Sequence, residues 1–296
     1  MRIGVDFGGT KIEAIAIDAN GVERARRRVD TPRGDYAASL EAVAALVAAV
    51  EADAGARGSV GVGIPGAVSP ATGVIKNANS TWLIGHPLHR DLSRAIGREV
   101  RVANDANCFA LSEAADGAAA GVGVVFGVIL GTGVGGGVVV NGAVLSGANA
   151  IAGEWGHNAL PWPDAAEWPG PPCYCGRRGC IEVFLCGHGL QMAYGGTDLA
   201  NARAIADAAA GGHAGAVAAL TLYVRRLAKA LATVVNLLDP DVIVLGGGLS
   251  NIDGLYARVP EEWRRWIFSD RVDTRLVRNR HGDSSGVRGA AWLWPV

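Results

Sequence analysis

The first residues alternate between apolar and polar positions in a way that predicts a β-hairpin. Positions 3–6 are mostly apolar, positions 12–18 alternate, and Gly8 and Gly9 separate the two segments. Alternation with a period of two residues is typical of a half-buried strand. A glycine turn between two strands differs from the dinucleotide-binding fingerprint and the P-loop, whose glycines join a strand to a helix. Those two classes of nucleotide-binding protein are therefore excluded.

Strands and a helix continue to alternate after the hairpin. Four of the five positions 24–28 are arginine, which predicts a solvated edge strand because charged side chains protect a sheet edge from further pairing. Apolar residues at helical spacing predict a helix over 36–53. A continuous apolar run at 59–65 then predicts a buried strand that ends in another glycine turn.

The strand-turn-strand pattern returns in the second half of the chain. Apolar segments at 124–130 and 138–140 flank a turn with five glycines. A long amphipathic helix is predicted over 220–238, because an Asp-Pro pair follows it. A buried strand at 242–245 leads into three consecutive glycines. The repetition predicts a duplicated α/β fold.

The predicted fold has two α/β lobes, 1–116 and 117–296, and the last helix is free to pack back on the first lobe. A stretch dense in proline and tryptophan at 161–172 is predicted to be an excursion loop within the second lobe.

Composition narrows the class of partner. The chain has 296 residues, 19% of them charged, and a formal net charge of -1, so it offers no overall positive field to attract nucleic acid or an anionic membrane. Apolar runs are interrupted by glycine before they reach the roughly 20 residues of a membrane span, and the first residues lack the pattern of a signal peptide. We expect a cytoplasmic protein that binds a small molecule. We do not expect it to bind nucleic acid or a membrane.

The cysteines are unevenly distributed. Cys173, Cys175 and Cys180 lie close together, whereas Cys108 and Cys186 stand apart. In a reducing compartment such a cluster favours a metal site over a disulfide. A redox pair and an accidental cluster remain alternatives on spacing alone.

The glycine turns predict a site for a nucleoside triphosphate, since glycine lets backbone N–H groups approach phosphates closely. Asp6 precedes the first turn, and a carboxylate beside phosphates needs an intervening cation, so we expect it to hold Mg²⁺ through water. Simple tight hairpins are the alternative for any one turn. The predicted nucleotide-binding residues are Gly8, Gly9, Thr10, Lys11, Gly131, Thr132, Gly133, Gly246, Gly247 and Gly248.

Four motifs together resemble the signature set of the ROK family of sugar kinases and related repressors. They are Asp6-Phe7-Gly8-Gly9-Thr10-Lys11, the glycine run 131–137, Gly153-Glu154-Trp155-Gly156-His157 and the cysteine segment 173–182. The resemblance implies an actin-like, hexokinase-type fold of the ribonuclease H-like class, with an inserted zinc-binding loop. It also implies ATP as co-substrate and a homodimer.

The resemblance also implies roles for individual polar residues. Asp105 is expected to be the catalytic base, because a sugar hydroxyl needs a carboxylate to take its proton during phosphoryl transfer; by itself the segment Asn104-Asp105 predicts a helix N-cap, and the two roles are compatible. The implied sugar-binding residues are Asn79, Asn104, Asp105, Glu154, His157 and Glu182. The implied ligands of a structural Zn²⁺ are His157, Cys173, Cys175 and Cys180.

Two further segments, 76–83 and 281–286, most resemble bacterial fructokinases. We therefore expect phosphorylation of D-fructose to fructose 6-phosphate. If the ring of Trp82 points inward, it would fill the recess that an N-acetyl group needs; alternatively it packs within its lobe. Kinases of N-acetylglucosamine, N-acetylmannosamine, glucose or mannose are the alternatives within the family, and a non-catalytic sugar sensor is the alternative of another class.

Overall fold

The computed structural model describes residues 1–294, apart from the side chain of Asp283. The strands are β1 (Arg2–Phe7), β2 (Lys11–Ile17), β3 (Glu23–Asp30), β4 (Ser59–Ile64), β5 (Ala67–Val68), β6 (Ile75–Lys76), β7 (Val100–Asn104), β8 (Val124–Leu130), β9 (Val134–Val140), β10 (Ala143–Val144), β11 (Val242–Gly246) and β12 (Arg275–Arg278). The α-helices are α1 (Tyr36–Ala54), α2 (Leu88–Ile96), α3 (Asp105–Ala115), α4 (Ile181–Leu185), α5 (Gly187–Tyr194), α6 (Ala202–Ala210), α7 (Ala214–Leu238), α8 (Leu255–Trp263) and α9 (Ser285–Ala291).

The first large sheet has the order β3-β2-β1-β4-β7. Strands β1 and β2 pair antiparallel, which confirms the predicted hairpin, while β1, β4 and β7 run parallel. Strand β3 lies at the edge, as its arginines predict, and carboxylates compensate their charge: Arg28 pairs with Glu13 and Arg27 with Asp53. The carboxyl ends of β1, β4 and β7 therefore meet at one edge of the sheet.

The second large sheet repeats this plan with the order β10-β9-β8-β11-β12. Strands β8, β11 and β12 run parallel. Strand β9 begins at Val134, earlier than the predicted 138, because the glycines of the turn continue into the strand. At Gly136 a Cβ atom would stand 2.6 Å from the indole ring of Trp155, so a larger residue could not adopt this strand position.

The chain divides into two compact units. We define unit 1 as residues 1–121, 137–152 and 280–294, and unit 2 as residues 122–136 and 153–279. These units differ from the predicted lobes 1–116 and 117–296, because two later segments belong to unit 1. In the second of these segments, α9 packs against α3 and β1. The sequence allowed for packing of the last helix on the first lobe, whereas no local pattern predicted that residues 137–152 belong to unit 1.

Helix α7 anchors the predicted excursion loop within unit 2. It begins at Ala214, six residues before the predicted start, because His213 Nδ1 accepts a hydrogen bond from the Ala216 N–H. Lys229 of α7 is fully buried, and its Nζ lies 3.3 Å from Glu167 Oε2 and donates to the carbonyl of Trp162 at 2.7 Å. The loop is thus held by a buried ion pair and not by backbone pairing alone.

Across residues 1–294, each helix taken singly is too short or too polar to cross a bilayer; the bent pair α6 and α7 meets the length and composition criteria together.

Candidate functional site

Parallel pairing places the predicted carboxylates of unit 1 at one sheet edge. Asp6 of β1 is in register with Gly63 of β4, and Ile64 of β4 is in register with Asn104 of β7. Asp105 follows directly as the first residue of α3. Since the carboxyl ends of neighbouring parallel strands lie together, Asp6, Asn104 and Asp105 share this edge.

The turn from β7 into α3 forms the helix cap that the sequence predicts. The Asn104 side chain caps the helix by accepting a hydrogen bond from the Ala106 N–H at 2.8 Å, and its amide donates to the Gly66 carbonyl. These bonds fix the start of α3. Asp105 is exposed at that start, where a substrate hydroxyl can reach it.

Asp6 is electrostatically unusual. The pKa of Asp6 is raised to about 6, first by burial and then by the charges of Asp105 and Glu13, while the charge of Arg28 opposes the rise. Two carboxylates near each other in a partly buried setting repel when both are ionised, and a cation relieves that repulsion. The surroundings of Asp6 therefore fit the predicted magnesium ligand.

The first glycine turn is braced by the segment after β3. The Thr31 hydroxyl donates to the Gly8 carbonyl at 2.7 Å, and Arg33 donates to the Gly9 carbonyl at 2.9 Å and to the Thr10 hydroxyl at 2.5 Å. Sequence reasoning missed Arg33. Arg33 is a cationic residue in the turn directly after the strand that flanks the glycine hairpin. The pairing of that strand with the hairpin could have been foreseen from the sequence, so the position of Arg33 was a usable signal.

In unit 2, two of the predicted glycine segments lie side by side. Strands β8 and β11 are parallel neighbours, with Gly246 in register with Ile129. The backbone of Gly247 lies so close to the Leu130 carbonyl that a Cβ atom would collide with it. The Gly131 carbonyl accepts a hydrogen bond from the Gly187 N–H at the start of α5. The turn at 131–133 and the segment 246–248 thus form one glycine-lined surface.

Glu182 links this surface to the cysteine cluster. Its Oε2 accepts a hydrogen bond from the Val134 N–H at 3.0 Å, and its Oε1 lies 3.8 Å from Cys173 Sγ. A Cβ atom at Gly133 would stand 2.8 Å from Glu182 Oε2, so glycine is required there for the carboxylate to approach the turn. A predicted sugar-binding residue and a predicted phosphate loop are therefore in direct contact.

The predicted zinc ligands converge. The ligand atoms of His157, Cys173, Cys175 and Cys180 all lie within 4.8 Å of one another. Cys175 Sγ is 3.7 Å from Cys180 Sγ, and Cys173 Sγ is 3.7 Å from His157 Nδ1. A tetrahedral site with Zn–S bonds of about 2.3 Å requires sulfur atoms roughly 3.8 Å apart. The cluster therefore fits a structural zinc ion.

The thiols also need a cation to ionise. Burial raises the pKa of Cys180 to about 12 and raises the pKa of Cys173, whereas the Arg177 backbone N–H lowers the pKa of Cys175. A bound metal favours the thiolate, which is the ligating form. Cys108 and Cys186 are buried outside the cluster, in agreement with their separate positions in the sequence.

The second nitrogen of His157 has a partner that the sequence did not predict. Nε2 lies 2.9 Å from the hydroxyl of Tyr174, the residue between the first two cysteines. Burial, followed by the charges of Glu182, Cys173 and Glu154, raises the pKa of Tyr174 to about 12. His157 is expected both to bind zinc and to contact the sugar, and its Nε2 already has the Tyr174 hydroxyl as a neighbour.

The remaining predicted sugar-binding residues are accessible. Asn79 is exposed in unit 1, and Glu154 is exposed in unit 2 directly before a short 3-10 turn that ends at His157. Trp82 is half-buried and packs against the hydrophobic core of unit 1. Of the two readings of this ring, the structure favours packing within the unit.

Three comparisons place the chain among known proteins. The model of the ROK family matches residues 2–296. A protein of Yersinia pseudotuberculosis named N-acetyl-D-glucosamine kinase is 43% identical over 306 aligned residues, which cover 99% of this chain and 98% of that protein.

Solved structures agree with this family. The ROK hexokinase of Thermus thermophilus superposes with a TM-score of 0.87 at 34% identity, covering 99% of this chain and 97% of that one. The ROK family glucokinase of Streptomyces griseus, solved in complex with glucose and AMPPNP, gives a TM-score of 0.77 at 28% identity, covering 99% and 98%. The predicted hexokinase-type α/β fold is confirmed, and the chain belongs to the ROK family.

Proposed function

We propose that this protein is an ATP-dependent sugar kinase that phosphorylates the 6-hydroxyl of N-acetyl-D-glucosamine. The observation that carries the substrate is the 43% identity, over 99% of the chain, to a protein named N-acetyl-D-glucosamine kinase. A protein of Vibrio cholerae with the same name is 42% identical over the same share of the chain.

In unit 1, Asp105 supplies the base. Its carboxylate accepts the proton of the sugar hydroxyl as that oxygen bonds to the γ-phosphorus of ATP and the bond to the leaving ADP breaks. Asn104 keeps the start of α3 fixed through its cap to the Ala106 N–H. Positioning of this kind supplies most of the catalysis in phosphoryl transfer, because the transition state is loose and needs little covalent assistance.

Asp6 and the glycine turns support the nucleotide. Asp6 would hold Mg²⁺, which neutralises charge on the phosphates, and backbone N–H groups of residues 8–11 suit the phosphate oxygens. Arg33 braces that turn through the Gly9 carbonyl and the Thr10 hydroxyl. In unit 2 the glycine surface made by 131–133 and 246–248 is the further candidate for nucleotide contacts.

The sugar hydroxyls are bound by carboxylates and amides, which accept and donate hydrogen bonds. We assign this role to Asn79, Asn104 and Asp105 of unit 1, and to Glu154, His157 and Glu182 of unit 2. The zinc ion would be held by His157 and the three clustered cysteines, and it supplies rigidity to the segment that carries these side chains and takes no part in the chemistry.

Fructose, the acceptor expected from sequence, loses its main physical support. That expectation came from the resemblance of segments 76–83 and 281–286 to bacterial fructokinases, and its physical argument was an inward ring at position 82 that would exclude an N-acetyl group. Trp82 packs against the core of its unit. Within the part of the chain that the structure describes, the ring of Trp82 is therefore not identified as an obstacle to the acetamido substituent. Fructose remains the competing acceptor against which the proposal is tested.

The use of ATP agrees with the expected cytoplasmic location, and we retain the homodimer implied by the family as part of the proposal. Sedimentation equilibrium of the purified chain decides between monomer and dimer.

The proposal is tested by incubating the purified protein with ATP, Mg²⁺ and N-acetylglucosamine. ADP release that depends on the sugar, together with a phosphomonoester on C6 in the NMR spectrum of the product, supports it. ATP hydrolysis without sugar phosphate, or no turnover with any hexose, contradicts it.

A further inference from the structure

The Ser80 hydroxyl is a buried polar group that the fold itself does not use. Ser80 is 1% exposed, and its Oγ has no hydrogen-bond partner among the residues that the structure describes. A buried hydroxyl without a partner costs stability, and the few such groups in native proteins call for an explanation. A ligand that the hydroxyl contacts during a reaction is one such explanation.

Ser80 stands where a serine side chain ordinarily caps a turn. It directly precedes the 3-10 turn Thr81–Leu83, and a serine at such a position usually accepts a hydrogen bond from an N–H of the turn. The Ser80 side chain makes no capping bond, and the Leu83 N–H donates to the Ser80 carbonyl at 3.0 Å. The hydroxyl is therefore not engaged by its own turn.

This hydroxyl lies beside the first glycine turn of unit 1. A Cβ atom at Gly9 would stand 3.4 Å from Ser80 Oγ, and Gly9 itself is exposed. The hydroxyl therefore lies directly beneath the surface on which we propose that the phosphates bind. Asn79, the preceding residue, is exposed and is a proposed sugar-binding residue. Ser80 thus adjoins the proposed sugar site along the chain and the proposed phosphate site in space.

Contacts on the other side connect the Ser80 segment to the proposed base. A Cβ atom at Gly66 would stand 2.9 Å from the Cα of Ala78, so the backbones of these two residues are in close contact. The Gly66 carbonyl accepts a hydrogen bond from the side-chain amide of Asn104 at 3.3 Å. The segment that carries Ser80 is therefore connected, within unit 1, to the residue that precedes Asp105.

We propose that Ser80 is a catalytic residue whose O–H donates a hydrogen bond to a non-bridging oxygen of the phosphoryl group during its transfer. The phosphorus bonds to the sugar oxygen and leaves the oxygen of the β-phosphate, Asp105 takes the proton of the sugar hydroxyl, and Ser80 keeps its own proton throughout. Phosphoryl oxygens only accept hydrogen bonds, so a hydroxyl donor suits them. Rotation about the Cα–Cβ bond, which has three staggered positions, brings the hydroxyl out from beneath the turn.

The inference rests on the proposed function, because it adds a residue to the same phosphoryl transfer. It does not depend on which hexose accepts the group. The kinetic test therefore uses the hexose for which the wild type has the highest kcat/KM.

Ser80→Ala removes the hydroxyl alone. We expect kcat to fall by about 10-fold or more, the scale of one hydrogen bond to a charged group, while the calorimetric Kd values for the sugar and for Mg-ATP stay within about twofold. The Tm should equal or exceed that of the wild type, because the variant no longer buries a hydroxyl without a partner. A purely structural role of Ser80 predicts the opposite pair, a lower Tm with an unchanged kcat.

Ser112→Ala is the matched control. Ser112 lies in α3 of the same unit, is fully buried, and its Oγ likewise has no hydrogen-bond partner in the described part of the chain. Its removal should also leave the Tm at or above that of the wild type. Because no glycine turn for phosphates is recorded beside it, kcat should remain within about twofold.

A mimic of the transition state separates transfer from substrate binding. Mg-ADP with aluminium fluoride, bound together with the sugar, presents fluorine atoms in place of the phosphoryl oxygens. Ser80→Ala should weaken the binding of this mimic by about the factor by which it lowers kcat, since only the transferring group makes the contact. The Kd for Mg-ADP alone should not change.

Three results overturn the inference. An unchanged kcat, with or without a weaker affinity for the sugar, removes Ser80 from the transfer step. Equal binding of the mimic by Ser80→Ala and the wild type does the same. An equal loss of kcat in Ser112→Ala shows that the effect comes from packing. If the wild type phosphorylates a hexose while any of these holds, only the role of Ser80 falls; if the wild type phosphorylates no hexose, the proposed function falls and the inference falls with it.

Discussion

At the residue scale, Asp105 is both the first residue of a helix and the proposed catalytic base. It stands at the first turn of α3, beside the Asn104 cap, and its charge acts on Asp6. A carboxylate at a helix start is favoured by the helix dipole, so the fold tolerates an exposed acid where the proposed reaction needs a base.

Asp105→Asn should preserve the fold and the binding of sugar while lowering kcat by about 10²-fold or more, the contribution of a positioned general base. The amide keeps the size of the side chain but cannot accept the proton. Steady-state kinetics with calorimetric sugar binding check this. Asp35→Asn is the control, since Asp35 caps α1 and asparagine caps equally well; near-normal turnover of Asp105→Asn would remove Asp105 from the mechanism.

Sequence reasoning reached the residues whose neighbours are close in the chain. The Asn104 cap and the cysteine cluster are local patterns, and each is present in the structure as predicted. Arg33 and Tyr174 were missed because their significance comes from contacts with Thr10 and His157, which are remote in sequence. Periodicity and spacing carry no information about the contact between His157 and Tyr174, whereas the place of Arg33, after the strand that flanks the glycine hairpin, was a signal.

At the element scale, we propose that the segment carrying the cysteine cluster is a metal-dependent structure, and about one zinc per chain is expected from its four candidate ligands. Cys175→Ser should release the metal and lower Tm, because the ligand set is assembled only in the fold. Cys108→Ala, a buried thiol of unit 1 outside the cluster, should retain zinc. Elemental analysis together with calorimetry checks both, and a metal-free wild type with an unchanged Tm would contradict the assignment.

The buried pair of Lys229 and Glu167 should be a main anchor of the excursion loop. Lys229→Met leaves Glu167 buried with one partner fewer and removes the donor to the Trp162 carbonyl. We expect a loss of about 3 kcal/mol in the free energy of unfolding, the scale for breaking a buried pair. Arg225→Ala, which removes the exposed partner of Asp164, should cost much less in urea unfolding; equal effects would contradict the anchor.

A third prediction at the element scale concerns α9, which Asp116 connects to the first segment of unit 1. Asp116 accepts hydrogen bonds from His281 at 2.9 Å and from Arg288 of α9. Burial raises the pKa of Asp116, but hydrogen bonds from His281 and Arg288 outweigh it, so the pKa lies below its ordinary value of 3.8. Because the folded pKa is depressed, the stabilisation is present above that ordinary value and is lost as pH falls through the folded pKa.

Asp116→Asn should therefore be less stable than the wild type at pH 7 by about 2 kcal/mol, the scale of charge-assisted hydrogen bonds. The difference should shrink below about pH 4. Chemical unfolding between neutral and acid pH measures it. Asp53→Asn, in an exposed pair with Arg27, should show a smaller change throughout, and a difference that grows on acidification would contradict the role of Asp116.

At the scale of the whole molecule, the sequence predicted the duplicated strand-turn-strand plan, but it predicted the division into two units only in part. The two strand-turn-strand hairpins at β1–β2 and β8–β9 follow from alternation and glycine turns, and each lies in one of two sheets of parallel design. The units could be predicted only in part: the sequence allowed the last helix to pack on the first lobe, but residues 137–152 also join unit 1, through packing between distant segments. The choice of sugar was not readable either, since its physical argument depended on where one tryptophan ring points.

The most direct test of the central claim is a comparison of kcat/KM for N-acetylglucosamine and fructose, with ATP and Mg²⁺ at saturation and the zinc content verified. N-acetylglucosamine should have the higher value by at least about tenfold. A site that hydrogen-bonds a polar group of its substrate rejects an acceptor without that group more strongly than an apolar pocket rejects an acceptor that lacks one methylene. Equal values, or a higher value for fructose, would contradict the proposed substrate.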